Sequence, residues 1–101
     1  MFSYVLDVPG PIQMYSGMHK AITDRVAGRD VGLLLHLGRE TETGFQITEI
    51  WTSREHFDRF NIDVVMPLMN ELFGENQLPE QLPITEFEPS GLIIPAAGIE
   101  A

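Results

Sequence analysis

The 101-residue chain contains no cysteine. That excludes a disulfide framework, a thiolate metal centre and a cysteine nucleophile. Bases are scarce, with six Lys and Arg against fifteen Asp and Glu, a formal charge of −9. A phosphate-binding face needs clustered bases, so neither nucleic acid nor an anionic membrane surface is an expected partner. No apolar run reaches membrane-spanning length, and the N-terminus lacks the basic-then-apolar order of a signal peptide. No membrane span is therefore expected, and the expected location is cytoplasmic. His19, His36 and His56 show neither HxH nor HExxH spacing, so no metal is expected. Gly38 and Gly44 belong to no phosphate-cradling motif, and no motif demands a cofactor.

What is present is an ordinary globular composition, 44% hydrophobic. The length fits one domain over residues 1–101, with a core over 1–88 and a C-terminal tail over 89–101. A core of that size is marginal alone and gains from oligomerisation.

The β-branched and aromatic stretch Phe2 to Val8 reads as a strand ended by Pro9-Gly10-Pro11. Met14, Met18, Ala21, Ile22 and Val26 recur at helical spacing and predict a helix over 12–26 with Gly28 as its stop. Val31 to Arg39 and Phe45 to Trp51 read as a hairpin around Thr41 to Gly44. Gly44 is expected to take a left-handed position there. That register sets Arg39 opposite Gln46, His36 opposite Glu49 and Leu34 opposite Trp51. Thr52 to Glu55 reads as a capping box with Thr52 as the cap. The helix after it carries one apolar face at Phe57, Phe60, Val64, Leu68 and Leu72. A second stripe runs through Ile62, Val65, Met66 and Met69, and Pro67 predicts a kink or break. Gly74 to Pro83 reads as a loop and Ile84 to Glu88 as a last strand. The tail holds Leu92, Ile93, Ile94 and Ile99, so it is expected to dock.

Strand, helix, strand, strand, helix, strand is the order of the α+β ferredoxin-like βαββαβ fold, an antiparallel sheet with helices on one face. Leu33, Leu35, Leu37 and Ile50 are expected under the helices. The other face would then carry Leu34, His36, Gly38, Ile47, Glu49 and Trp51, too apolar to stand bare in water. A second copy facing it, a homodimer with sheet-to-sheet packing, is the expected solution.

Gly32-Leu33-Leu34-Leu35-His36-Leu37 and the run Gly44 to Phe57 carry a resemblance. A strand ending in Trp and followed by a Ser-x-Glu-x-Phe helix start resembles the dimeric α/β-barrel superfamily. Within it, the chain looks like antibiotic-biosynthesis-monooxygenase-like and uncharacterised actinobacterial-type members. The resemblance covers residues 1 to about 88 and implies a dimeric barrel, with a cleft in each subunit for a small hydrophobic or aromatic compound. It also implies cofactor-independent monooxygenase or isomerase chemistry. Haem degradation is disfavoured, because the first strand offers Ser3 where those relatives carry Asn, and His56 falls in the first turn of its helix.

Five residues are candidates for the site. His36 can act as a base, with Glu49 orienting its second nitrogen; the same pair can instead fix strand register or the dimer. Trp51 can wall a pocket for an aromatic ligand or anchor a core. Tyr15 can turn its hydroxyl into a helix–sheet cleft or simply pack. Asn61, with Asp63, sits mid-helix where both have poor propensity; a solvated face or a cap is the plainer role. A non-catalytic ligand-binding or dimeric assembly module is the alternative to an enzyme.

Overall fold

The structure, a computed structural model, describes residues 1–73 and 84–100. The expected loop at Gly74 to Pro83 lies outside them. Four strands form an antiparallel sheet: β1 (Phe2–Val8), β2 (Leu33–Glu40), β3 (Phe45–Trp51) and β4 (Ile84–Phe87), in the order β2-β3-β1-β4. Helix α1 (Ile12–Val26) follows β1, and a second helical stretch follows β3. The α+β class and this strand order are compatible with a ferredoxin-like domain. No helix among the described residues is long and apolar enough to cross a membrane.

The expected bounds of α1 and its half-buried stripe at Met14, Met18, Ala21, Ile22 and Val26 match the structure. Its left-handed C-cap is Ala27, one residue before the expected Gly28. In the β2–β3 hairpin, Arg39 pairs with Gln46 and His36 with Glu49, as read from the sequence. The pairing of Leu34 with Trp51 is corrected: a bulge between Leu33 and Leu35 sets Leu33 opposite Trp51. One extra residue in a strand cannot be read from alternation. Gly44 is not left-handed. It is needed for room, because a Cβ there would collide with the Val8 carbonyl oxygen.

The larger correction concerns the two faces of the sheet. Phe2, Tyr4 and Trp51 form the buried cluster, with Leu6, Leu33, Phe57 and Phe60 against it. Because Trp51, Glu49, Ile47, Gly38 and His36 share that side by register, they lie under the helices and not on the open face. Leu35, Leu37 and Ile50, expected under the helices, take the far face with Ser3 and Val5. The bulge re-phases β2, so Leu33 still reaches the core while Leu35 does not. On this far face Leu37 is 56% and Phe87 38% exposed. Arg39 donates to Gln46 and Gln46 to Asp7 across three strands, both at 3.0 Å.

The second helical stretch is α2 (Arg54–Phe60), a π-helical turn over Asn61–Val65, and α3 (Met66–Phe73). Ser53, not Thr52, caps it by accepting from the His56 amide. Thr52 is taken up elsewhere, its amide and hydroxyl both donating to the Gly32 carbonyl. The irregularity expected from Pro67 falls just before it. Proline has no N–H and its ring presses on the carbonyl four residues back, and the wider π turn spares that contact. Phe57, Phe60, Val64 and Leu68 face inward; Leu72, Ile62 and Met66 are exposed. In the tail, β5 (Ile93–Ile94) pairs with β6 (Ile99–Glu100), and Leu92 is buried.

Candidate functional site

The site begins at Glu49, a carboxylate 9% exposed at the middle of the sheet. A buried charge is tolerated only when its oxygens are hydrogen-bonded. Three donors meet it. The Tyr4 hydroxyl, from the neighbouring strand, donates to Oε1. The Trp51 indole N–H, two residues along the same strand face, donates to Oε1 at 3.0 Å. His36 Nδ1, directly opposite on β2, lies 2.6 Å from Oε2. A carboxylate only accepts, so Nδ1 carries the proton in this contact, and in the tautomer with that proton alone Nε2 is the acceptor.

Nε2 points toward α1, where the Tyr15 hydroxyl lies 2.8 Å away. The two rings are nearly parallel, 7° apart. Tyr15 reaches that position because residue 38 is glycine: a Cβ there would run into the phenol ring. His19, one helical turn after Tyr15, stacks on His36 at 5.3 Å, with its Nδ1 3.5 Å from the same hydroxyl. A continuous polar chain thus runs from Tyr4 and Trp51 through Glu49 and His36 to Tyr15. Burial, followed by the Glu49 charge, raises the Tyr15 phenol above its ordinary value and keeps its proton in place. Burial, the Glu49 charge and the hydrogen bond to it do the same to Tyr4, in that order and more strongly.

The chain opens on a cleft of about 410 Å³ between α1 and the sheet. Met18, Ile22 and Val26 of α1, Leu33 and Ile47 of the sheet, and Phe60 make it mostly apolar, while Tyr15, His19, His36 and Glu49 supply its polar atoms. That volume falls within the range of small-molecule sites, roughly 300–1,000 Å³. Among the described residues no group of three or more His, Asp and Glu is placed to hold a metal ion.

Of the five sequence candidates, His36, Glu49 and Tyr15 meet in one cleft. Trp51 is fully buried beside them as a donor to Glu49, and it lines no part of the cleft wall. Asn61 lies outside the cleft in the π turn, and Asp63 borders a different cleft, with His56 and Arg59. Sequence reasoning missed Tyr4 and His19. The four-residue step from Tyr15 to His19 was a readable signal, since such pairs share a helix face. Tyr4 was not readable, because its pairing with Glu49 depends on β1 and β3 being neighbours. Comparison with protein-family models and with curated proteins returned no match.

Proposed function

We propose that the chain is a cofactor-independent enzyme, an isomerase or monooxygenase, that takes a small hydrophobic, aromatic compound into the helix–sheet cleft. The observation that carries this reading is the hydrogen-bonded run Glu49–His36–Tyr15 ending at an apolar cavity of ligand size. A polar relay with one end anchored on a buried carboxylate and the other on an apolar pocket suits proton transfer to or from a desolvated ligand. An acidic O–H or C–H of the ligand gives its proton to the Tyr15 oxygen as Tyr15 passes its own to His36 Nε2. Glu49 then stabilises the imidazolium. In this concerted shift Tyr15 never carries a full negative charge, which its raised pKa would oppose. In isomerisation the proton returns to another atom of the same ligand. In monooxygenation the ligand anion supplies the electrons that reduce dioxygen, the external oxidant: one oxygen atom bonds to a ligand carbon and the other leaves as water.

The dimeric α/β barrel belongs to the same proposal, with the partner copy on the far face of the sheet. What supports it is the apolar surface left there at Leu35, Leu37 and Phe87, on the side away from the helices. The non-catalytic reading has its own support, since both ring nitrogens of His36 are already hydrogen-bonded. Titration of the protein and of His36→Gln with 2-naphthol, followed by calorimetry, separates the two. A site of this kind binds 2-naphthol at micromolar concentration and loses at least tenfold in the variant, whose fold and association state are unchanged. Equal binding by both proteins, or loss of the dimer with binding retained, makes His36 structural.

A further inference from the structure

A second cleft, of about 470 Å³, shares two of its lining residues, Phe60 and Val31, with the first. Its character is different. Arg29, Arg59 and His56 line it with Asp30 and Asp63. In a chain this acidic the arginines are informative, because free carboxylates are plentiful partners. Lys20 pairs with Asp24, Arg25 with Glu71, Arg54 with Glu86, and Arg39 donates to Gln46. Those are four of the six bases. Arg29 and Arg59, like Arg39, have no carboxylate within 4.0 Å among the described residues, and these two border this one cleft.

The surroundings hold one of these two donors in place. Arg29 is tethered by Nε to the Val26 carbonyl and by a terminal nitrogen to that of Arg25, both in the last turn of α1. Its other terminal nitrogen makes no hydrogen bond among the described residues. Asp30 accepts from the Gly32 amide through Oδ1 at 2.9 Å, and Asp63 is the cleft's other carboxylate. His56 Nδ1 is held by the Ser53 hydroxyl at 2.7 Å, which directs Nε2 away from the cap. Gly32 is buried against the His56 ring, where a Cβ would collide with it. The floor of the cleft is thereby fixed. Arg59 is exposed and makes no ion pair among the described residues, and a guanidinium recognises a carboxylate through two parallel N–H bonds.

We infer that the ligand of the apolar cleft is an aromatic or hydrophobic acid, whose ring lies beside Tyr15 and His36 and whose carboxylate passes between Val31 and Phe60 to Arg59 and Arg29. This deepens the function proposed above and rests on it. The substrate class becomes an amphipathic monoacid, not a neutral aromatic. The two arginines orient the ring so that its reactive position meets the Tyr15 hydroxyl.

The test compares 2-naphthol, 2-naphthoate and 2-naphthylacetate on the full chain and on Arg59→Gln and Arg59→Lys, by calorimetry at two salt concentrations. One of the acids binds at least tenfold more tightly than 2-naphthol, and the gain shrinks at high salt. Arg59→Gln removes it and Arg59→Lys retains part. If 2-naphthol binds but neither acid gains, or the gain survives Arg59→Gln, the inference is overturned while the proposed function stands. If an acid binds equally well to the parent chain and to His36→Gln, the arginine cleft acts alone and the bridge between cavities is refuted. If none of the three binds, the proposed function falls and takes the inference with it.

Discussion

At Tyr4 a single hydroxyl ties the first strand to the buried carboxylate of Glu49. Tyr4→Phe removes one of three donors to a charged acceptor and is expected to cost on the order of 1–2 kcal/mol of stability at neutral pH. The pH dependence has a definite sign. Burial raises the native Tyr4 pKa above its unfolded value near 10, so above that pH the unfolded chain gives up a proton the native state keeps. The stabilisation is whole below pH 10 and declines as pH rises beyond it. Urea midpoints taken from pH 7 to 11 check this; Tyr4→Phe shows a flatter alkaline limb. Gly38→Ala acts on the other end of the relay. The new methyl pushes the Tyr15 ring off His36, so binding of 2-naphthol falls more steeply than the melting temperature does.

Among the elements, the helix after β3 shows where sequence rules reach and where they stop. Its position was legible from the apolar spacing of Phe57, Phe60, Val64 and Leu68, and its defect from Pro67. The cap was misplaced by one residue because Thr52 and Ser53 are both competent caps. Only the tertiary contact of Thr52 with the Gly32 carbonyl assigns the role to Ser53. Ser53→Ala is expected to cost about 1 kcal/mol, measured by chemical denaturation, and to loosen His56, whose Nδ1 it holds. The hairpin was legible through its turn length, which fixed His36 opposite Glu49. Which face of β2 meets the helices was not, since both faces carry apolar residues, and the bulge moves Leu33 alone from the Leu35 and Leu37 face to the His36 face. The candidate pair survived that error because register, not face, brings His36 and Glu49 together. Tyr15 joined them only through the docking of α1.

For the whole molecule, the apolar surface of the sheet's far side sets the expected association. Leu37→Asp puts a charge at its most exposed apolar position and is expected to shift sedimentation velocity from dimer to monomer at micromolar concentration, with far-UV circular dichroism unchanged. A monomeric parent chain would refute the barrel. The more direct question is whether the buried carboxylate, the imidazole and the phenol form one responsive unit at the cavity. Nitrogen-15 NMR of histidine-labelled protein answers it, read with and without 2-naphthol and repeated on Tyr15→Phe. The expected result is that both His36 ring nitrogens shift on binding, with His56 unaffected and the response lost or strongly reduced in Tyr15→Phe. His36 resonances that stay fixed while the probe binds would contradict the relay and leave the Glu49 network a purely structural device.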